Sequence, residues 1–285
     1  MKRKLILQGK TGLTIYLPKK WADRNELKPG EDIEITEVDR DLIISCNPIS
    51  SKTKIIELKL EIGRDSKQRI LLINAYRSGF DKIKISYNGK QEDLNKIVNN
   101  TMLGFEIFKI RENEYSIESV AEPNFEDFER IIEKLFFILL EIYSNIETNI
   151  DDHVHNIQKY DNFLKRLLSK NVFIAKNPFA YWQFLSNLTQ IARVCFHLNK
   201  RLTKTLNKDE KKLILFAQEM TRHLQKAYLT KDFTELIKIH DIEEKIEKEE
   251  KKYLKNDITG HYLLNICHNI YLTTSSVSGI IQKKE

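Results

Sequence analysis

The sequence predicts a multidomain chain: a short β-rich unit over residues 1–46, a small α/β unit over 53–120, and an all-α part over 123–285 built as two three-helix repeats, 123–206 and 207–285. Three observations carry that prediction. Leu13, Ile15 and Leu17 alternate with Thr14 and Tyr16, the period of a strand with one buried face. From Pro123 the apolar period becomes helical and stays so. That helical pattern then recurs at an offset of about 79 residues.

The first unit reads β-β-α-β-β. Leu5-Ile6-Leu7 is followed by a loop bounded by Gly9 and Gly12, then by the alternating strand. Pro18 suits the first position of a helix, where its missing N–H costs nothing, and that helix is expected to run through Leu27. Pro29-Gly30 turns the chain into Ile33 and Ile35, and Asp39-Arg40-Asp41 turns it again into Leu42-Ile43-Ile44. The core candidates Leu5, Leu7, Leu13, Ile15, Leu17, Ile33 and Ile35 are too few to hold so short a unit alone. Dimerisation is the expected remedy.

Asn47–Lys52 reads as a linker. Beyond it, Ile55–Leu60 is strand-like, Asp65 or Ser66 caps a helix that ends before Gly79, and Ile83 and Ile85 mark a strand. Asn88-Gly89 is a turn, Leu94–Met102 a helix, and Phe105–Ile110 with Tyr115–Val120 a hairpin. In the helical part, Phe125 to Ile150, Val154 to Leu167 and Tyr181 to Leu202 recur at three- and four-residue steps. At the offset of 79, Leu135, Phe136 and Phe137 fall on Ile214, Leu215 and Phe216, Ile157 falls on Leu236, and Phe184 and Leu198 fall on Leu263 and Val277.

Several ordered segments of the first unit carry a resemblance: Lys2-Arg3-Lys4, the Gly9-to-Gly12 loop, Leu13-Thr14-Ile15, Leu17-Pro18-Lys19-Lys20-Trp21, Leu27-Lys28-Pro29-Gly30-Glu31 and Leu42-Ile43-Ile44. Together they resemble the AbrB/SpoVT/MazE family of DNA-binding domains, whose dimers interlock as swapped-hairpin β-barrels. The Leu-Pro-Lys-Lys-Trp form looks most like that of archaeal proteins resembling PhoU, the phosphate-uptake regulator. Ala75–Asp81 and Leu103–Ile107 resemble segments of the same proteins, and tandem three-helix units are the architecture of PhoU.

Charge sharpens this reading. The chain carries 47 basic and 41 acidic residues, a net +6. Residues 1–28 hold Lys2, Arg3, Lys4, Lys10, Lys19, Lys20, Arg24 and Lys28 against Asp23 and Glu26, which accounts for the whole excess. Lys19 and Lys20 fall in a helix's first turn, where cations oppose the helix dipole. Charge concentrated in this way implies a polyanionic partner, usually nucleic acid; a solvated basic edge is the plainer alternative. Lys2, Arg3, Lys4, Lys10, Thr11, Lys19, Lys20 and Arg24 are the candidate DNA-binding residues. Lys4, Lys10 and Lys20 stand nearest to positions the resembled family uses for DNA, although the loop is longer than in AbrB itself.

Catalysis is not expected. There is no defensible Ser/His/Asp set, phosphate-cradling loop or paired-carboxylate site, and Gly9-x-x-Gly12 lacks a P-loop's continuation. Cys46, Cys195 and Cys267 are far apart and fit a reducing cytoplasm. No apolar run approaches the length of a membrane span. PhoU-like proteins hold metal on E/D-x-x-x-D motifs. Here the candidates Asp161 and Asp241 each have isoleucine one turn earlier, and Arg193 falls where a third-helix acid is wanted, so no metal and no cofactor is expected. Glu243–Lys252 reads as a solvated helical face, Trp182 as core, and His261 and His268 as surface or satisfied residues.

The resemblance as a whole implies a cytoplasmic, homodimeric transcriptional regulator of phosphate uptake, with DNA bound by the first unit and a signal received by the helices. The alternative is a PhoU-type adaptor docking on a phosphate ABC transporter's ATPase or a signalling protein such as a sensor kinase, with little DNA binding. A third reading is a MazE-like antitoxin, but such proteins bind toxin through short tails, and this chain has a long helical part instead.

Overall fold

A computed structural model describes residues 3–9, 12–38, 41–45, 53–63, 65–121, 126–170, 177–254 and 258–282. The chain divides into two units, Met1–Lys52 and Thr53–Glu285. The expected linker lies outside the described residues.

The first unit begins with a hairpin. Strands β1 (Ile6–Gln8) and β2 (Gly12–Thr14) are antiparallel, with Leu7 opposite Leu13. A Cβ at Gly12 would sit 2.9 Å from the Gln8 carbonyl oxygen, so this register needs glycine. The Thr14 hydroxyl donates to Gln8 Oε1 at 2.6 Å and ties the pair again. Helix α1 (Lys19–Arg24) follows. Pro18 stands just before the helix rather than within it, at φ −64° and ψ 122°. Its carbonyl accepts from Trp21 and Ala22 N–H at 2.9 and 3.1 Å. Glu26 turns left-handed at φ 57°, which ends the helix short of Leu27. Strands β3 (Glu34–Val38) and β4 (Asp41–Ser45) then pair antiparallel, Ile35 opposite Ile44.

The second unit opens with a mixed four-stranded sheet. Its strands are β5 (Ile55–Leu60), β6 (Lys82–Tyr87), β7 (Phe105–Arg111) and β8 (Glu114–Ser119), in the order β5-β6-β8-β7 with only β5 and β6 parallel. Helices α2 (Asp65–Arg77) and α3 (Gln91–Thr101) bury Leu72, Tyr76, Leu94 and Val98 in one core with Ile83, Ile85 and Ile117 of the sheet. Tyr76 packs edge-on against Phe105 and donates its hydroxyl to the Leu103 carbonyl.

Among the described residues six helices follow: α4 (Glu126–Ser144), α5 (Asp151–Ser169), α6 (Pro178–Asn199), α7 (Lys208–Thr230), α8 (Thr234–Tyr253) and α9 (Ile258–Ile281). Asn177 caps α6 by accepting from Ala180 N–H, with Pro178 at the first helical position. Asn207 and Glu210 form a reciprocal capping box on α7. Their common core runs through Phe136, Phe184, Leu188, Met220, Tyr228 and Ile270.

The internal recurrence differs from the expected offset in two of the three helices. In the third helices the step of 79 holds, since Phe184, Leu188, Ile191 and Leu198 are buried as are Leu263, Cys267, Ile270 and Val277. In the first two the burial pattern steps by 82: Ile132, Leu135 and Ile142 with Ile214, Ala217 and Leu224, and Val154, Ile157, Asp161 and Leu164 with Leu236, Ile239, Glu243 and Ile246. The step of 79 would pair fully buried Phe136 with Leu215, which is 62% exposed. The connection before α9 is shorter than the one before α6, and this restores 79 for the third helix.

The sheet and the helices are joined by a polar clasp. Arg166, 2% exposed, donates to the Phe80 carbonyl at 2.7 Å and pairs with Asp81 at 2.7 Å. Lys170 reaches the same Asp81 oxygen at 2.7 Å. Arg77 bonds Asn162 and Asp161, and Asn162 donates to the Thr101 carbonyl. These paired cations hold Asp81 below the ordinary carboxylate range despite its partial burial.

Candidate nucleic-acid interface

The first unit presents its charge and its apolar strands together. Arg3, Lys4, Lys19, Lys20, Arg24 and Lys28 are all exposed, and among the described residues none of their side chains forms an ion pair with an acid; the Lys28 backbone N–H donates to Glu31 Oε2 at 2.9 Å. Lys2, Lys10 and Thr11 lie outside the described residues. Strand β2 ends at Thr14, and Pro18 leads into α1, so Lys19 and Lys20 emerge at the helix start beside Trp21, which is half-buried. No acid offsets them in that first turn. Such a surface offers Coulomb attraction to phosphate without internal competition.

The apolar residues are as telling as the cations. Leu5, Leu7 and Leu13 are 65–67% exposed, and Ile15, Ile35 and Leu42 also face solvent. Leu17 and Ile33 are only half covered. The strand expected over Leu13–Leu17 is shorter, since β2 ends at Thr14, and a single copy of the unit leaves these apolar residues largely uncovered. Each such side chain gains about 1.5–3 kcal/mol when fully buried.

Residues 13–54 match the family described as antidote-toxin recognition MazE, bacterial antitoxin. The N-terminal segment carries a MazE/AbrB-type domain. Comparison with curated proteins and with solved structures finds no match. The MazE/AbrB-type domain is consistent with a DNA-binding regulator, and the rest of the chain is a largely helical body. No helix among the described residues is long and apolar enough to cross a membrane.

The two acids singled out from the sequence differ sharply. Asp161 is 1% exposed and lies between Lys165 and Arg77, each at 2.7 Å. Burial raises its carboxyl and lowers the Lys165 ammonium, against their mutual attraction. Two cations already occupy the space that a metal ion would need. Asp241 is exposed, and the burial pattern puts Glu243, not Asp241, in the place of Asp161. Arg193 points to the exposed side of α6; the half-buried Thr189 lies a turn earlier. Among the described residues, no three His, Cys, Asp or Glu side chains gather as a metal ion would require.

Two other readings need correction. The run from Glu243 to Lys252 is not wholly solvated, because Glu243 and Ile246 are buried. His268 Nδ1 lies 3.1 Å from Glu243 Oε1. Trp182 is 38% exposed and carries the Lys165 ammonium 5.3 Å from its ring centre. Arg166 and Asp81, the heart of the clasp, were missed, although Asp81 closes the Ala75–Asp81 segment.

Proposed function

We propose that this chain is a DNA-binding transcriptional regulator whose MazE/AbrB-type domain dimerises on DNA and whose helical body receives the signal. The observation that carries the reading is the unpaired basic surface beside uncovered apolar strands within the first 52 residues. A second copy covering Leu5, Leu7, Leu13 and Ile35 supplies the missing core. The cations then neutralise phosphates and fix register, while α1, six residues long, is too short to act as a groove-reading helix. Specificity in this reading leans on DNA shape and deformability.

The body's two consecutive three-helix sets support a PhoU-like signal-receiving part, and phosphate uptake is the process we assign to it. No catalytic step belongs to this reading. The adaptor alternative, docking on a transporter ATPase or sensor kinase, remains distinct in its consequence: DNA affinity would be dispensable. An antitoxin role fits less well, because residues 53–285 form a packed body with its own core rather than a free toxin-binding tail.

Gel retardation with the full chain tests the proposal. Lys19→Ala with Lys20→Ala should weaken binding to every sequence alike, and flatten the salt dependence by roughly one unit of slope per lost phosphate contact. Undiminished retardation by the double variant, or no retardation by the parent at low salt, would remove its basis. A footprint beside phosphate-transport genes would establish the regulated process.

A further inference from the structure

We propose that the cleft between α8 and α9 binds a primary alkylammonium group, taking by an external ligand the position that Lys165 fills internally between α5 and α6. The cleft has a volume of about 680 Å³ and is lined by Glu243, Ile246, Glu247, Glu250, Leu264 and His268, among others. Glu243 is 6% exposed. Its Oε1 faces His268, and its buried Oε2 has no hydrogen-bond partner among the described residues. A buried carboxylate oxygen left without a donor carries a substantial desolvation penalty.

The first three-helix set shows what such a cleft accepts. There the buried carboxylate is Asp161, and the Lys165 ammonium sits 2.7 Å from it, 2.9 Å from the Ser186 hydroxyl and 5.3 Å from the Trp182 ring centre. The burial pattern carries each member of this group onto the second set. At the step of 82, Asp161 becomes Glu243, Leu164 becomes Ile246 and Lys165 becomes Glu247. At the step of 79, Trp182 becomes His261, Leu185 becomes Leu264, Ser186 becomes Asn265 and Thr189 becomes His268.

Two replacements therefore change the sign of the site. The buried acid and apolar wall are kept, but the internal cation is replaced by a second acid, and Leu168 by Glu250 as a third. The first cleft is self-filled; the second is acidic, and no lysine or arginine stands among its described lining residues. An ammonium there would pair with the Glu243 carboxylate and offset part of the charge of Glu247 and Glu250, with its alkyl stem along Ile246 and Leu264. Burial and these two like charges hold the Glu243 carboxyl above its ordinary value, with His268 pulling the other way.

The ammonium can come from a free polyamine or from a lysine side chain of a partner. Calorimetry on the full-length protein separates them, using cadaverine, Nα-acetyl-lysine methylamide and magnesium chloride as probes. We expect one of the two amines to bind with one-to-one stoichiometry, with at least tenfold weakening in Glu243→Gln. Preference for cadaverine assigns a free diamine, and preference for the lysine derivative assigns a protein side chain. Glu247→Lys should rebuild the Lys165 arrangement, abolish amine binding and raise the melting temperature, a readout that does not depend on choosing the right ligand. The proposal is overturned if neither amine binds the parent, if Glu243→Gln binds as well as the parent, if magnesium competes stoichiometrically for the same site, or if Glu247→Lys melts lower.

Discussion

Two glutamates on α8 show how the same residue type is set to opposite ends by its neighbours. Glu235 is 2% exposed and receives Lys226, Lys238 and His223, at 2.8, 2.8 and 2.6 Å. These donors lower its carboxyl to about 2. Glu243 has one histidine and two nearby acids, and burial raises it. The linkage signs are opposite. Glu235 contributes stability that is present above the ordinary carboxylate range and lost as pH falls towards about 2. Glu243 burdens the fold while ionised, and that burden lifts as pH falls through its raised value. Melting curves across pH should therefore show Glu235→Gln below the parent at neutral pH, with the gap closing in strong acid. Glu243→Gln should melt above the parent at neutral pH and converge with it as the pH drops. A parent-like melt for both variants across the range would mean that neither carboxylate is set as described.

At the scale of elements, most of the fold is legible because single periods dominate. Ile83 and Ile85 alternating with Lys82 and Lys84 could only be a half-buried strand, and the sheet places both isoleucines inside. Relations between elements were less legible. Three- and four-residue periods make several registers look alike, so a constant offset of 79 fits the sequence, and only burial distinguishes 79 from 82 in the first two helices of each set. The clasp depends on Arg166 and Asp81, separated by 85 positions, and no local pattern connects them. The Glu243 cleft was hidden in a stretch whose charge density suggests solvent. The close approach between α8 and α9 was equally unreadable. A Cβ at Gly260 would lie 2.0 Å from the Tyr253 carbonyl oxygen, so the short return into α9 tolerates no side chain there. Gly260→Ala should destabilise by about 1–3 kcal/mol, as overpacking does, measured by urea unfolding. A neutral result would show that Gly260 and the end of α8 can move apart without disturbing the core.

The two units of the whole molecule have unequal means of standing alone. Residues 53–285 contain the sheet, six long helices and a shared buried core, whereas the first 52 leave most of their described apolar strand residues in contact with solvent. The concentration of charge follows the same division, since residues 1–28 carry the entire net +6. Stability, DNA affinity and self-association should therefore separate on truncation. A chain lacking residues 1–52 should keep its helical circular dichroism and melt cooperatively, because nothing in its described core comes from the missing part. It should lose retardation of DNA, and sediment as a monomer where the full chain sediments as a dimer whose melting temperature rises with concentration. The sedimentation comparison is the sharper measurement, since it reads the uncovered strands directly. If the truncated chain still dimerises and the full chain shows no dependence on residues 1–52, the exposed leucines are not an interface, and the basic surface would have to hold DNA as a monomer.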